Sequence, residues 1–293
     1  MGYLYVIAAA VLWGMIGPVS RVALEGGVDP LEIAFWRAAL GAGCFAVHAA
    51  AIGRLRVERR DLAAVAGFGL VGVGLFWTAY LQAIEAGGAA LSAVLLYTAP
   101  AWVAVLSALF LGERMTGRKA LAVALAIAGV GGIALAGGGG SVRPGTAALF
   151  WGLLSGVAYS LHYLFGKRYF ARYPAPTLLL YALPVAALAL LPLADFRPKP
   201  PAAWGAIVFL AVVPTYLSFL LYGAGLRRVE ATRAATVATI EPVVAALAAY
   251  LAWGERMSPA GYLFAALVVA AVILMVTGDA SESQEDSALA RDH

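Results

Sequence analysis

The sequence predicts an all-α membrane protein: ten transmembrane helices built as two inverted-topology five-helix repeats. Three observations predict it. The composition is too apolar for water, the charges between apolar windows alternate along the chain, and a short motif recurs once per half. Of 293 residues, 63% are apolar and 12% charged, with mean hydropathy +0.87. Soluble domains are nearer about 45–50% apolar and about 25% charged. A soluble chain of this composition could not cover its surface, and long disorder needs the reverse balance.

A helix needs about 20 mostly apolar residues to cross the hydrocarbon core. Such windows fall at 3–24, 30–51, 62–84, 88–110, 117–136, 146–166, 175–194, 203–225, 231–252 and 259–278. Turn and polar residues break them, as at Gly26-Gly27, Arg54 to Asp61, Gly87-Gly88 and Gly254 to Pro259. The N-terminal half is expected over 1–140 and the C-terminal half over 141–279, with Gly137 to Gly140 as a flexible linker. Residues 280–293, rich in Ser, Glu and Asp, are expected to be a disordered cytoplasmic tail. The amino terminus lacks a basic leader, so the first window is expected to stay as a span.

Orientation follows the basic residues. The 2–3, 4–5, 6–7 and 8–9 connections plus the tail hold 14 of the 20 Lys and Arg, against 5 on the other side. Arg37 lies inside a span, well away from its ends. A miscounted helix would scramble this alternation, so it supports ten spans with both termini in the cytoplasm.

Self-comparison finds Gly112-Glu113-Arg114-Met115-Thr116 again as Gly254-Glu255-Arg256-Met257-Ser258. At this shift of 142, Pro100 falls on Pro242 and Tyr80 on Tyr222; a shift of 146 puts Pro30 on Pro176 and Trp13 on Tyr159. Five spans per half is an odd number, so the halves must run in opposite orientations, as in many secondary transporters.

The pattern Pro100…Gly112-Glu113 and Glu241-Pro242…Gly254-Glu255, with Leu12-Trp13-Gly14 ahead of Arg21 and Phe35-Trp36-Arg37 in the second span, resembles the EamA-type repeat of the drug/metabolite transporter superfamily. The resemblance covers residues 1 to about 278 and is nearest to bacterial aromatic amino-acid and metabolite exporters. It implies a ten-helix secondary transporter of the inner (plasma) membrane, with export as its direction.

Other classes fit poorly. Net charge is +4 but no basic stripe runs along the chain, so no nucleic-acid partner is expected. Gly67, Gly69 and Gly72 match a dinucleotide-binding spacing without the strand it requires; close helix packing explains them better. Gly152 and Gly156 fit a helix-dimer pattern and serve packing within the chain equally well. Cys44 reads as a packing residue, and His48, His162 and His293 lack metal-ligand spacing. No catalytic constellation, metal or cofactor is expected.

The residues left at depth carry the functional reading. A charge near mid-bilayer costs at least about 2.5–3.5 kcal/mol, so Arg37 and Glu241 should face a protein interior or wet cavity. Glu241 either holds a substrate amine or exchanges a coupling proton; structurally, it could pair with Arg37 or cap the break at Pro242. Pro100, Pro214 and Pro242 sit mid-span and should kink helices 4, 8 and 9 around a pathway. Trp13, Trp77, Tyr80, Tyr97, Trp102, Tyr159, Tyr163, Tyr216 and Tyr222 lie within spans, where a cavity would satisfy their polar ends. Thr98, Thr215 and Ser218 add neutral hydrogen-bonding groups. One buried cation is too few for phosphorylated cargo. The lining suits a small molecule: an amino acid with an aromatic or hydrophobic side chain, moved by alternating access, or alternatively a lipophilic aromatic cation, the cargo of a multidrug exporter.

Overall fold

The computed structural model describes the backbone of residues 1–136 and 145–289, with side chains through 278. The expected linker at Gly137 to Gly140, the expected boundary between the halves and His293 lie outside the described residues. Among the described residues ten helices follow in order: α1 Gly2–Glu25, α2 Pro30–Ala51, α3 Arg59–Gly87, α4 Ala89–Phe110, α5 Gly117–Ala136, α6 Thr146–Tyr169, α7 Ala175–Leu190, α8 Pro201–Leu226, α9 Ala231–Trp253 and α10 Pro259–Leu289. Nine of these helices among the described residues are long and apolar enough to cross a membrane, and α7 is shorter. Large apolar side chains such as Leu4, Val47, Leu109, Leu188, Leu251 and Ile273 point outward, which a lipid surround makes favourable.

Local chemistry sets the ends. Asp29 caps α2 by accepting from the amides of Leu31 (2.9 Å) and Glu32 (3.1 Å), with Pro30 in the first turn. Gly112 and Gly254, repeat equivalents, close α4 and α9 at φ near +70°, a left-handed conformation that explains why the recurring motif opens on glycine.

The helices pack as the repeat demands. α5 lies on α10 and α2 on α7, each a helix against its own equivalent; α3 on α6 and α1 on α8 are the same contact seen from either half. Small residues allow close approach. A Cβ on Gly69 would stand 2.1 Å from the carbonyl oxygen of Ala182 on α7, and one on Gly152 or Gly156 would strike Leu95 on α4. Gly69, Gly152 and Gly156 therefore serve contacts between helices of the chain, whereas a Cβ on Gly67 would meet nothing within 4 Å and one on Gly72 would meet only Phe68 of its own helix.

Five irregularities interrupt the helices among the described residues. α4 breaks at Tyr97–Thr98 and restarts before Pro100; α9 breaks at Thr239–Ile240 and restarts before Pro242. Pro214 does not give the simple kink expected but sits in a π-helical stretch, Val212–Leu217. Its equivalent in α3 lies within another, Phe68–Leu75, although that segment has no proline. α1 also breaks at Met15, a discontinuity without a proline to announce it. At the other end, α10 continues past the expected span, so the segment from 280, expected to be disordered, is helical through Leu289. No Gly or Pro follows Gly278 to stop it, and Ala, Glu and Gln are good helix formers.

Candidate functional site

A cavity of about 390 Å³ occupies the middle of the bundle and the half away from the basic face, defined here as the face carrying the 2–3, 4–5, 6–7 and 8–9 connections. Arg37 of α2, Trp77 and Tyr80 of α3, Tyr97 of α4, Tyr159 and His162 of α6, and Glu241 of α9 line it, with Trp13, Thr215 and Pro242 among the rest. The α9 break coincides with a change in packing. Every residue of Ala231–Ala238 is buried, whereas none of Glu241–Trp253 is. On the basic side, Tyr97, Pro100, Tyr159, Tyr163, Ala235 and Thr239 close around a narrow cleft below the cavity floor.

Arg37 is the strongest electrostatic feature. Its guanidinium lies 4.2 Å from the Trp77 ring centre, and Nε donates to Thr215 Oγ1 at 3.3 Å. Nη1 is buried and has no protein partner. A desolvated cation–π contact contributes about 2 kcal/mol, which offsets much but not all of the cost of holding this charge at depth. Glu241 opens the restarted segment of α9, and its carboxylate faces the Tyr97 hydroxyl. Arg37 and Glu241 sense each other across the cavity without forming an ion pair, so the expected pairing is not made.

The wall between them is aromatic. Phe76 stacks on Tyr159 at 5.1 Å and Trp13 meets Phe219 at 5.9 Å. The Tyr159 and Tyr163 hydroxyls are 3.3 Å apart. His162 donates Nδ1–H to the Tyr159 carbonyl at 3.2 Å, because a carbonyl can only accept.

Several expected lining residues lie elsewhere. Trp102 is tied to Thr98 (3.2 Å), and Thr98 donates to the Leu95 carbonyl (2.6 Å); both use their polar groups within α4. The break at Tyr97–Thr98 resets the helix, so residues on its two sides no longer share a face. Tyr216 meets His48 Nδ1 at 2.8 Å and packs on Phe45, because the π-helical turn changes the phase of α8. Ser218 donates to the Pro214 carbonyl at 2.6 Å. Tyr222 is buried among Trp13, Tyr163, Phe170 and Phe219, its hydroxyl unpartnered.

The profile of the EamA-like transporter family matches residues 1–135 and 146–277. The chain belongs to this family. Among similar proteins is the probable terminal-alkyne amino-acid exporter of Streptantibioticus cattleyicolor, 30% identical over 280 residues that cover 92% of this chain and 91% of the relative. The uncharacterized inner membrane transporter YicL of Salmonella typhimurium is 26% identical over 283 residues, covering 94% of each. A crystal structure of a protein 22% identical superposes with a TM-score of 0.80 over 93% of this chain and 95% of the other, which supports the fold. In this EamA-family transporter, sequence reasoning did not single out Phe76, Phe219 or His162 as cavity residues. Phenylalanine gives no polar signal, and a single histidine without metal-ligand spacing gives no chemical one.

Proposed function

We propose that this transporter exports amino acids with aromatic or hydrophobic side chains by alternating access, from an inner membrane with the basic face in the cytoplasm. One observation carries the reading: the cavity holds one arginine and one glutamate that are not bonded to each other, set in an aromatic wall. A zwitterion complements both poles. Its carboxylate meets the free Nη1 of Arg37, its ammonium meets Glu241, and its side chain lies against Trp77, Phe76 and Tyr159. The amino-acid exporter among its relatives supports the same cargo class. With the basic face inside, a filled basic half and an open opposite half correspond to an outward-facing state.

Counterflow in proteoliposomes loaded with phenylalanine tests this. Phenylalanine should compete well, phenylalanine amide at least about tenfold worse because it leaves Arg37 unmatched, and an aromatic dication not at all. Competition by the dication alone would favour a lipophilic-cation exporter, the rival to which Glu241 and the aromatic wall would also lend themselves.

A further inference from the structure

The two Gly-Glu motifs, nearly identical in sequence, do different things. On the basic face Glu113 reaches the start of α9 and accepts from the amides of Ala231 (2.6 Å) and Thr232 (3.1 Å) and from Thr232 Oγ1 (2.8 Å). Beside it, Lys167 at the end of α6 donates to the carbonyls of Leu226 (3.1 Å) and Val229 (2.7 Å), where α8 ends. The α8–α9 turn is thus held from both ends, its carbonyls by a cation and its amides by an anion. These are the groups a helix end and a helix start leave unpaired.

The repeat supplies the same parts on the opposite face. The 142-residue shift sends Glu113 to Glu255, Ala231 and Thr232 to Ala89 and Ala90, and Leu226 and Val229 to Ile84 and Gly87. The 146-residue shift of the first helices sends Arg21 to Lys167. Yet Glu255 and Arg21 are bonded to each other (2.5 Å), with Arg21 also on Glu25 (2.8 Å) and over Trp253. No side chain caps the α4 start at Gly88. On the closed side the two residues have separated to grip a turn; on the open side they are spent on one another.

We propose that Glu113 with Lys167 and Glu255 with Arg21 are alternating clamps, one for each face, of which one is engaged at a time. In the opposite state Arg21 takes the Ile84 and Gly87 carbonyls, Glu255 takes the Ala89 and Ala90 amides, and Glu113 releases α9. These four are positioning residues: they act on the helix ends, not on cargo. The clamps are unequal. Glu230 pairs with buried Lys119 (2.6 Å) and Arg233 (2.8 Å), and the repeat equivalents of these three are Gly88, Gly261 and Leu91. The basic-face closure therefore has an additional ionic tie, which favours the state observed.

The clamp rests on the alternating-access reading, and the experiment separates the two. In a Cys44→Ser background, Ile133→Cys reports the cavity and Ala235→Cys the sealed half, each by labelling with an impermeant maleimide from its own face. If Ala235→Cys never labels in otherwise unaltered chain, alternating access fails. If both label, Glu113→Ala should slow Ile133→Cys and quicken Ala235→Cys by about tenfold, the scale of a lost charge-assisted cap, and Glu255→Ala should shift the balance the other way. Shifts in the same direction, or none, overturn the clamp. Should Glu113→Ala not fold, Ala89→Cys with Glu255→Cys decides, since it leaves the observed clamp intact. A disulfide that forms and blocks Ile133→Cys labelling supports the proposal; a pair that never cross-links overturns it.

Discussion

At the scale of single residues, Arg37 stands apart because its surroundings stop short of satisfying it. Thr215 and the Trp77 face take part of the guanidinium, and Nη1 is left over. Arg37→Gln should raise the apparent KM for phenylalanine about 10- to 100-fold, the range expected for one charge-assisted hydrogen bond, as read by concentration-dependent counterflow. Arg37→Lys should not restore it, since an ammonium lacks the flat face that lies on Trp77. Residues such as Arg37, Glu241, Tyr80 and Tyr97 were legible in the sequence because a polar group at mid-span has few tolerable places to be. Trp102 and Tyr216 were misplaced for a different reason: they sit beyond a helix break or a π-helical turn, and periodicity carries no memory across either.

At the scale of elements, the ten spans were readable to within a few residues because hydropathy and turn chemistry coincide at almost every boundary. What sequence did not convey was irregularity without proline, at Met15 of α1 and over Phe68–Leu75 of α3. The α3 stretch runs beside α7, where Gly69 touches backbone that cannot yield. Gly69→Ala should therefore lower the thermal midpoint in detergent, by an amount corresponding to about 1–3 kcal/mol of overpacking. Gly43→Ala, where an added methyl meets nothing, should leave it unchanged or slightly raised.

At the scale of the whole molecule, closure of the basic face joins both halves through charge. Burial works against ionisation of Glu230, but hydrogen bonds from Lys119 and Arg233 outweigh it and hold its carboxyl below the usual range. A carboxyl depressed on folding contributes stability that is complete above its unfolded value, about 4.3, and is lost as pH falls through the folded one. Glu230→Gln should lower the thermal midpoint at pH 7, and the gap to the parent chain should narrow as pH drops below about 4. Between these charges α9 brings mostly small side chains to the barrier, Ala231, Ala234, Ala235 and Ala238 with Thr232, Thr236 and Thr239, all buried, against Tyr97, Tyr159 and Tyr163 on the facing helices. A methyl group brought into water costs only about 0.8 kcal/mol, far less than a leucine or phenylalanine. The α9 share of the barrier therefore adds little cohesion of its own; on the alternating access proposed above, the thinness of that layer leaves the ionic rim to decide which side of the membrane the chamber meets.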